Sequence, residues 1–283
     1  MGALRSAGHN VHRVQLNDQM IAELELASPD FVVPCVLDER ADAGVVQDTL
    51  EVLGLPYVGA RGPAVRTCAD KVITKHVLQL AKLPTLPHRV ISARTVMQWG
   101  IGAALAKAAS DFDNKIVIKP VHGNGAMGIK LCVDLESVSS RVTNALHYDT
   151  QIILEPYVTG RELSVIVVGP PHAPELLGVA EVVSPMTTNV RNPSLWHRTF
   201  AAARPISLRI EKLAIAAYAA LGCRDYASID ILIDAQDDAW IIEVDTALDL
   251  AADGRFGCAA KSTRRSLADA IGAICSRVEG AYV

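Results

Sequence analysis

Two stretches of this chain hold residues whose types and spacing can do chemistry. The first is Ile116-Val117-Ile118-Lys119-Pro120-Val121-His122-Gly123-Asn124-Gly125-Ala126-Met127-Gly128-Ile129. A short apolar strand ends in one cation. A loop with three glycines follows, and Ile129–Val133 returns as a second strand. Glycine lacks a Cβ, so backbone N–H groups in such a loop can approach an anion closely. A lysine at the lip adds a point charge suited to phosphate. The same pattern also fits an ordinary β-hairpin with a glycine turn and a surface lysine. It is not a Walker A loop, because no Gly-Lys-Ser/Thr follows. Nor is it a dinucleotide fingerprint, because a strand stands where a helix is needed.

The second stretch is a pair of apolar strands, each interrupted by acids: Ser228-Ile229-Asp230-Ile231-Leu232-Ile233-Asp234 and Trp240-Ile241-Ile242-Glu243-Val244-Asp245-Thr246. Glu243 and Asp245 are two apart and share a face. Asp230, Glu243 and Asp245 can therefore converge. Buried carboxylates repel one another and lose solvation unless a cation joins them, and an oxygen-rich set suits Mg²⁺. The plainer alternative makes Glu243 a core residue paired with an arginine and Asp234, Asp237 and Asp238 turn acids. Asp234 is assigned to the turn. For Asp230 and Glu243 the metal reading is preferred, because two acids interrupt two consecutive apolar strands.

The elements that must position these groups follow from pattern. Residues 1–7 read as a helix end, Val11–Leu16 as a strand, Met20–Ala27 as a helix, Phe31–Val36 as a buried strand, Gly44–Leu53 as a helix and Pro56–Gly59 as a strand. This alternation predicts a parallel sheet. A helix is expected over 67–81, with Val72, Ile73, Val77 and Leu80 on its apolar face and Lys71 and Lys75, four apart, on another. After the glycine-loop hairpin come a helix at 135–146 and the strand Ile152–Leu154, which runs into Glu155-Pro156-Tyr157-Val158. From Gly160 the pattern turns antiparallel: strands at 163–168 and 175–183, an aperiodic loop at 184–204, a helix at 208–221, the two acid-bearing strands and a terminal helix at 262–278. Three modules result: 1–66 (α/β, a truncated Rossmann-like unit), 67–155 (α+β) and 156–283 (antiparallel sheet plus helices).

Composition narrows the function classes. The chain has 283 residues, half of them hydrophobic and 20% charged, which is the balance of a packed globular protein. The net charge of −4 and the lack of a basic run give no surface for nucleic acid. No apolar run reaches membrane-spanning length and no signal-peptide core opens the chain, so the expectation is a cytoplasmic protein with no membrane partner. The six cysteines form no Cys-x-x-Cys pair, which argues against zinc or thioredoxin-type chemistry.

A lysine, a glycine loop, Glu-Pro-Tyr-Val and late-strand acids, in this order, resemble an ATP-grasp ligase. More closely, the chain resembles the D-alanine–D-alanine ligase family over nearly its whole length. The motifs are Leu-Gly-Leu-Pro-Tyr-Val-Gly (53–59), Asp-Lys-Val-Ile-Thr-Lys (70–75), Ile-Lys-Pro (118–120), Gly-Arg-Glu-Leu-Ser-Val (160–165), Ala-Leu-Gly-Cys-Arg (220–224), Ile-Asp (229–230) and Glu-Val-Asp-Thr (243–246). The resemblance implies a three-module fold with the nucleotide between the central and C-terminal modules. It implies that Lys71 and Lys119 hold ATP phosphates under the 122–128 loop, with His122, Gly123 and Gly125 near them. Glu155, Tyr157 and Val158 would meet the adenine and Glu162 the ribose, and Asp230, Glu243 and Asp245 would carry two Mg²⁺ ions. A homodimer is also implied.

The departures bear on the substrate. The loop serines are replaced by Gly125 and Ala126, the arginine two residues before the first metal acid by Ser228, and the Asn of Glu-x-Asn by Asp245. The Ser-Pro-Gly that seats the second amino acid is Ala247-Leu248-Asp249, and the mobile-loop Lys-Tyr gives way to Arg191, Trp196, His197 and Arg198. The nucleotide half matches better than the amino-acid half. The expected activity is an ATP- and Mg²⁺-dependent carboxylate–amine ligase with an acyl-phosphate intermediate. Its substrate would be an amino acid or a similar small molecule, in specialised metabolism or intramolecular ring closure. Lys119, Arg198 and Arg255 are the candidate catalytic cations, and Asp38, Asp42 and Asp249 are candidates for a substrate ammonium. Two alternatives stand beside this: a nucleotide-binding regulatory protein that has lost its chemistry, and an atypical D-alanine–D-alanine ligase.

Overall fold

The computed structural model describes residues 1–36, 43–100, 102, 105, 111–112, 115–123, 129–132, 135–183, 199–203 and 206–281. Strands β1 (Arg89–Ser92), β2 (Ile116–Pro120), β3 (Lys130–Cys132) and β4 (Gln151–Pro156) form an antiparallel sheet in the order β1-β4-β2-β3. Alternation gives it two unlike faces. Ile116 and Ile118 of β2 pack with Ile152 and Leu154 of β4 against Val142 and Ala145 of a helix spanning Leu135–Ala145. Val117 and Lys119 point the other way, beside Ile153 and Glu155.

Strands β5 (Gly160–Gly169), β6 (Glu175–Val183), β7 (Thr199–Ala202), β8 (Asp225–Asp234) and β9 (Ala239–Asp245) make a second antiparallel sheet in the order β7-β6-β5-β8-β9. One face, with Leu163, Val165, Ile229 and Ile231, is covered by the helix Leu208–Ala220. The other face meets the helices Arg255–Ser262 and Leu267–Ala281 at one end, through Ile166, Val168 and Tyr226. Gly178 lets the first of these helices press on β6: a Cβ there would lie 2.0 Å from the Ala259 carbonyl oxygen. Further along, the same face carries Glu162, Ser164, Ser228 and Asp230.

The N-terminal segment departs from the expected parallel sheet. Helices at Gly2–Ser6, Met20–Ala27 and Val45–Val52 are present, but Val11–Leu16 is not a strand. Phe31–Val36 and Pro56–Gly59 meet only through a single parallel bridge, Val32 with Tyr57. Two hydrogen bonds hold it, Val32 N–H to Pro56 O (2.8 Å) and Val58 N–H to Val32 O (2.9 Å). The segment is tied down instead by side chains from the second sheet. The Gly59 N–H donates to Asp225 Oδ2 (2.8 Å), Arg224 donates to the carbonyls of Gly59 and Tyr57, and its guanidinium stacks on the Tyr57 ring at 4.9 Å. The Ala-Leu-Gly-Cys-Arg motif is therefore a docking element.

The helix expected over 67–81 is two helices, Gly62–Ala69 and Lys71–Leu80, broken at Asp70. Asp70 is extended (φ −93°, ψ 105°), and its carboxylate accepts from the N–H groups of Val72 (2.8 Å) and Ile73 (2.9 Å). That is an N-cap, which satisfies orphan donors at a new helix start. The buried face is also not the expected one. Ile73 is 47% exposed and Leu80 85%, whereas Lys71, Thr74, Lys75 and Leu78 are buried. Positions i, i+3, i+4 and i+7 do form one stripe, but its lysines point inward. Of the cysteines, Cys68, Cys223, Cys258 and Cys275 are buried and Cys35 is exposed.

Candidate active site

The inward lysines meet an acid from the first sheet. Glu155 is buried, and its two oxygens contact Lys75 Nζ (2.5 Å) and Lys119 Nζ (2.7 Å). Lys119 comes from β2 and Glu155 from β4, on the same sheet face. Burial alone would raise the Glu155 carboxyl, but the two ammonium groups outweigh it and hold its pKa down at about 2. Lys75 is pulled below the ordinary lysine value by burial, against the opposing pull of Glu155. It also donates to Thr85 Oγ1 (2.7 Å) and Leu86 O (3.3 Å). Thr85 in turn donates to Ile241 O of β9 (3.0 Å), so the chain entering the first sheet is laid along the edge of the second.

The acids of the second sheet converge as expected, by a device the sequence pattern does not reveal. Ile231 pairs with Ile241, yet the next residue, Asp230, pairs with Glu243. Ile242 is the extra residue of a β-bulge. Without it Asp230 would face Ile242, and Glu243 and Asp245 would lie on the opposite side of the sheet, because a one-residue slip flips every side chain. With it, ligand oxygens of Asp230, Glu243 and Asp245 lie within 4.8 Å of one another. Burial and the neighbouring Glu243 push the Asp245 carboxyl up to about 7, with Asp230 adding to the rise and Arg255 and Lys71 opposing it. Three crowded carboxylate groups are a hard-oxygen donor set that fits Mg²⁺.

Cations reach this cluster from two elements. Lys71 lies 3.5 Å from Glu243 Oε1 and donates to Gly123 O at 2.8 Å. Arg255, at the start of its helix, donates to Asp245 Oδ2 and lies 3.5 Å from Asp230 Oδ1. Asp230 Oδ1 also accepts from Ser164 (2.8 Å) and Ser228 (2.9 Å). The three acids hold the Arg255 guanidinium firmly protonated despite its burial.

Other predicted site residues fall as follows. Gly123 has φ +110° and open space where a Cβ would be, at the mouth of the glycine loop. His122 anchors the base of that loop: its ring contacts Asp149 (3.1 Å) and Asp70 (3.4 Å), and its backbone N–H donates to Asp149 (2.8 Å). The Tyr157 N–H is committed to Lys115 O (2.8 Å), while Val158 is half-buried after β4. Glu162 shares the face of Ser164, one step from Asp230. Asp249 caps its own turn, accepting from the Ala251 N–H at 2.9 Å. Asp234 is a turn acid, as expected, bonded to the N–H groups of Gln236 and Asp238. Asp38, Asp42, Gly125, Arg191, Trp196, His197 and Arg198 lie outside the described residues. Lys75 and Ser164 were not among the expected site residues. The signal for Lys75 was its place four residues after Lys71, on the same helix face.

Comparison with known proteins agrees with this geometry. Residues 77–251 match the family model described as D-ala D-ala ligase C-terminus. The chain is 29% identical over 277 residues to the D-alanine–D-alanine ligase of Bordetella petrii, covering 94% of this chain and 81% of that one. It is 30% identical over 259 residues to that of Moorella thermoacetica, covering 86% and 80%. Among solved structures, the D-alanine–D-alanine ligase of Bacillus anthracis complexed with ATP superposes with a TM-score of 0.79 at 20% identity, over 98% of this chain and 89% of that one. The D-alanine–D-alanine ligase of Coxiella burnetii gives 0.76 at 20% identity, over 89% and 68%. The fold is that of the ATP-grasp enzymes.

Proposed function

Because the chain belongs to the D-alanine–D-alanine ligase family, we propose that it is an ATP-dependent ligase joining a carboxylate to an amine. The carboxylate attacks the γ-phosphorus of ATP, giving an acyl phosphate and ADP. The amine then attacks the acyl carbon, phosphate leaves, and the product is an amide. The observation that carries this reading is the position of Lys71. One ammonium group touches both the mouth of the glycine loop, at Gly123 O, and the acid cluster, at Glu243. The place for phosphate and the place for metal are thereby adjacent.

The residues divide the work. Lys71 and Lys119 hold the nucleotide phosphates, Gly123 frames them with Gly125 assigned there by its sequence position, and His122 fixes the loop base. Glu155 keeps Lys119 and Lys75 charged and aimed. Glu155, Tyr157 and Val158 border the adenine side and Glu162 the ribose side. Asp230, Glu243 and Asp245 hold the divalent cation. Bound Mg²⁺ neutralises charge between the acid and the γ-phosphate, two anions that otherwise repel. Arg255, already at the acids, and Arg198, by its sequence position, are the cations available to the reacting carboxylate.

We assign the substrate to an amino acid or a close analogue outside cell-wall dipeptide synthesis, including the case in which acid and amine belong to one molecule. Ser228 and Ala247-Leu248-Asp249 support this, since they stand where the family carries its substrate-side arginine and Ser-Pro-Gly. The test is phosphate release from ATP and Mg²⁺ against amino acids, including D-alanine, ureido and guanidino amino acids and dipeptides, with products read by mass spectrometry. Release dependent on one substrate, lost in Lys119→Ala and Glu243→Gln, is expected. Nucleotide binding with no release across the panel would favour a regulatory role instead.

A further inference from the structure

We propose that the site takes one divalent cation with its nucleotide, and that the Arg255 guanidinium stands where a second would bind. This rests on the ligase reading above and narrows it.

Arg255 is fixed by a tight turn. A Cβ on Gly254 would lie 2.8 Å from Asp249 O, and one on Gly257 would lie 2.5 Å from Ala251 O. Only glycine fits at these two positions without the turn shifting, and together they seat the first turn of the helix against residues 249–252, which follow β9. From there the guanidinium bridges two different acids, Asp245 Oδ2 and Asp230 Oδ1, with its side chain only 14% exposed.

The guanidinium thereby occupies one oxygen of each of the two acids between which a second ion would sit. Asp230 Oδ1 already faces three donors: the hydroxyls of Ser164 and Ser228 and the guanidinium. A carboxylate oxygen so loaded has no lone pair to offer a metal. A dication displacing Arg255 would also stand beside a confined guanidinium stripped of its anions, and like charges at short range in a poorly solvated site repel strongly. Glu243 lies on the other side of the cluster, against Lys71, where one ion can still join the acids.

Two departures seen in the sequence also become one. Asp245 adds a negative charge where the family has Asn, and Ser228 removes the arginine two residues before the first acid. Arg255 supplies a cation to that same place from another element.

The test counts bound Mn²⁺ by electron paramagnetic resonance at saturating non-hydrolysable ATP analogue. The wild-type protein is expected to plateau at one Mn²⁺ per chain, without the spectrum of a coupled Mn²⁺ pair. Arg255→Gln is expected to rise to two, and Arg255→Lys to stay at one. Two ions in the wild type would overturn the proposal while leaving the ligase reading intact, and this count needs no variant to fold. A wild-type count of one that stays at one in folded Arg255→Gln would also overturn it. No nucleotide-dependent Mn²⁺ at all would sink both.

Discussion

The two ends of the site use the same residue types to opposite effect. At the first sheet two lysines, Lys75 and Lys119, surround one acid, Glu155. At the second, three acids, Asp230, Glu243 and Asp245, face two cations, Lys71 and Arg255. One buried carboxyl is held down at about 2 and another is pushed up to about 7. Burial disfavours charge at both, so the local surplus of partners decides the sign. The lysine end is left wanting an anion and the acid end wanting a cation. A Mg²⁺-nucleotide of the kind proposed would satisfy both together, which is why neither end by itself identifies the chemistry.

The largest effect should come from removing the minority partner at the lysine end. Glu155→Gln leaves two ammonium groups facing no anion in a buried place, and breaking such a set costs about 3–5 kcal/mol. Urea unfolding at pH 7 would measure it. A loss under about 1 kcal/mol would mean that Glu155 is not the counter-ion that orders this end.

The pH dependence of stability should have opposite signs at the two ends. Glu155 is depressed in the folded state from an ordinary value of 4.5 to about 2. Its contribution of about 3 kcal/mol is present above pH 4.5 and is lost as pH falls from there toward 2. Asp245 is raised from 3.8 to about 7. The folded state then binds the extra proton between those values, so metal-free stability falls as pH rises from about 4 to 7, by about 4 kcal/mol. Chemical denaturation from pH 3 to 8, with and without Mg²⁺, would separate them. Asp245→Asn should flatten the upper limb alone, and Glu155→Gln the acid limb alone. If both variants flattened the same limb, the contrast between the ends would fail.

Much of this was legible in the sequence, and the misses have physical causes. The acids of β8 and β9 stood out because charge inside an apolar strand is costly and therefore meaningful. Their convergence was expected from the spacing of Glu243 and Asp245, but Asp230 joins them only through the bulge at Ile242, and a bulge leaves no mark on an apolar run. The helix over 67–81 was expected unbroken because Asp70 resembles an ordinary helical residue until its carboxylate is seen capping the next turn. Its buried face is not its most hydrophobic one: Ile73 and Leu80 are exposed, and Lys71 and Lys75 are buried. Lys71 and Lys75 are buried by their partners, and those lie more than 40 residues away in Glu155 and Glu243. The N-terminal strands were expected from the alternation of strand-like and helical segments, yet strands need partners, and here arginine and aspartate contacts replace all but one bridge.

A smaller effect should sharpen the account of the lysine end. Lys75→Met removes one cation, but Lys119 still neutralises Glu155, and Thr85 keeps its bond to Ile241. The expected cost is about 1–2 kcal/mol in urea unfolding, well below that of Glu155→Gln. A cost equal to that of Glu155→Gln would show that Lys75, not Lys119, is the partner on which the acid depends.

The smallest effect tests the link between the ends. Asp70 caps the helix whose first residue, Lys71, reaches both Gly123 and Glu243. The same carboxylate faces His122 at the loop base at 3.4 Å. Asp70→Ala should cost about 1 kcal/mol of stability, as lost N-caps do, and Asp70→Asn or Asp70→Ser, which keep a capping oxygen, should recover most of it. Nucleotide affinity supplies the second readout. If the cap sets the start of the helix and hence the place of Lys71, Asp70→Ala should weaken binding of an ATP analogue several-fold and Asp70→Ser should restore it. If Asp70→Ser restores stability but not affinity, the carboxylate acts through His122 and the loop base rather than through the helix start. The two ends would then be joined by the loop and not by Lys71.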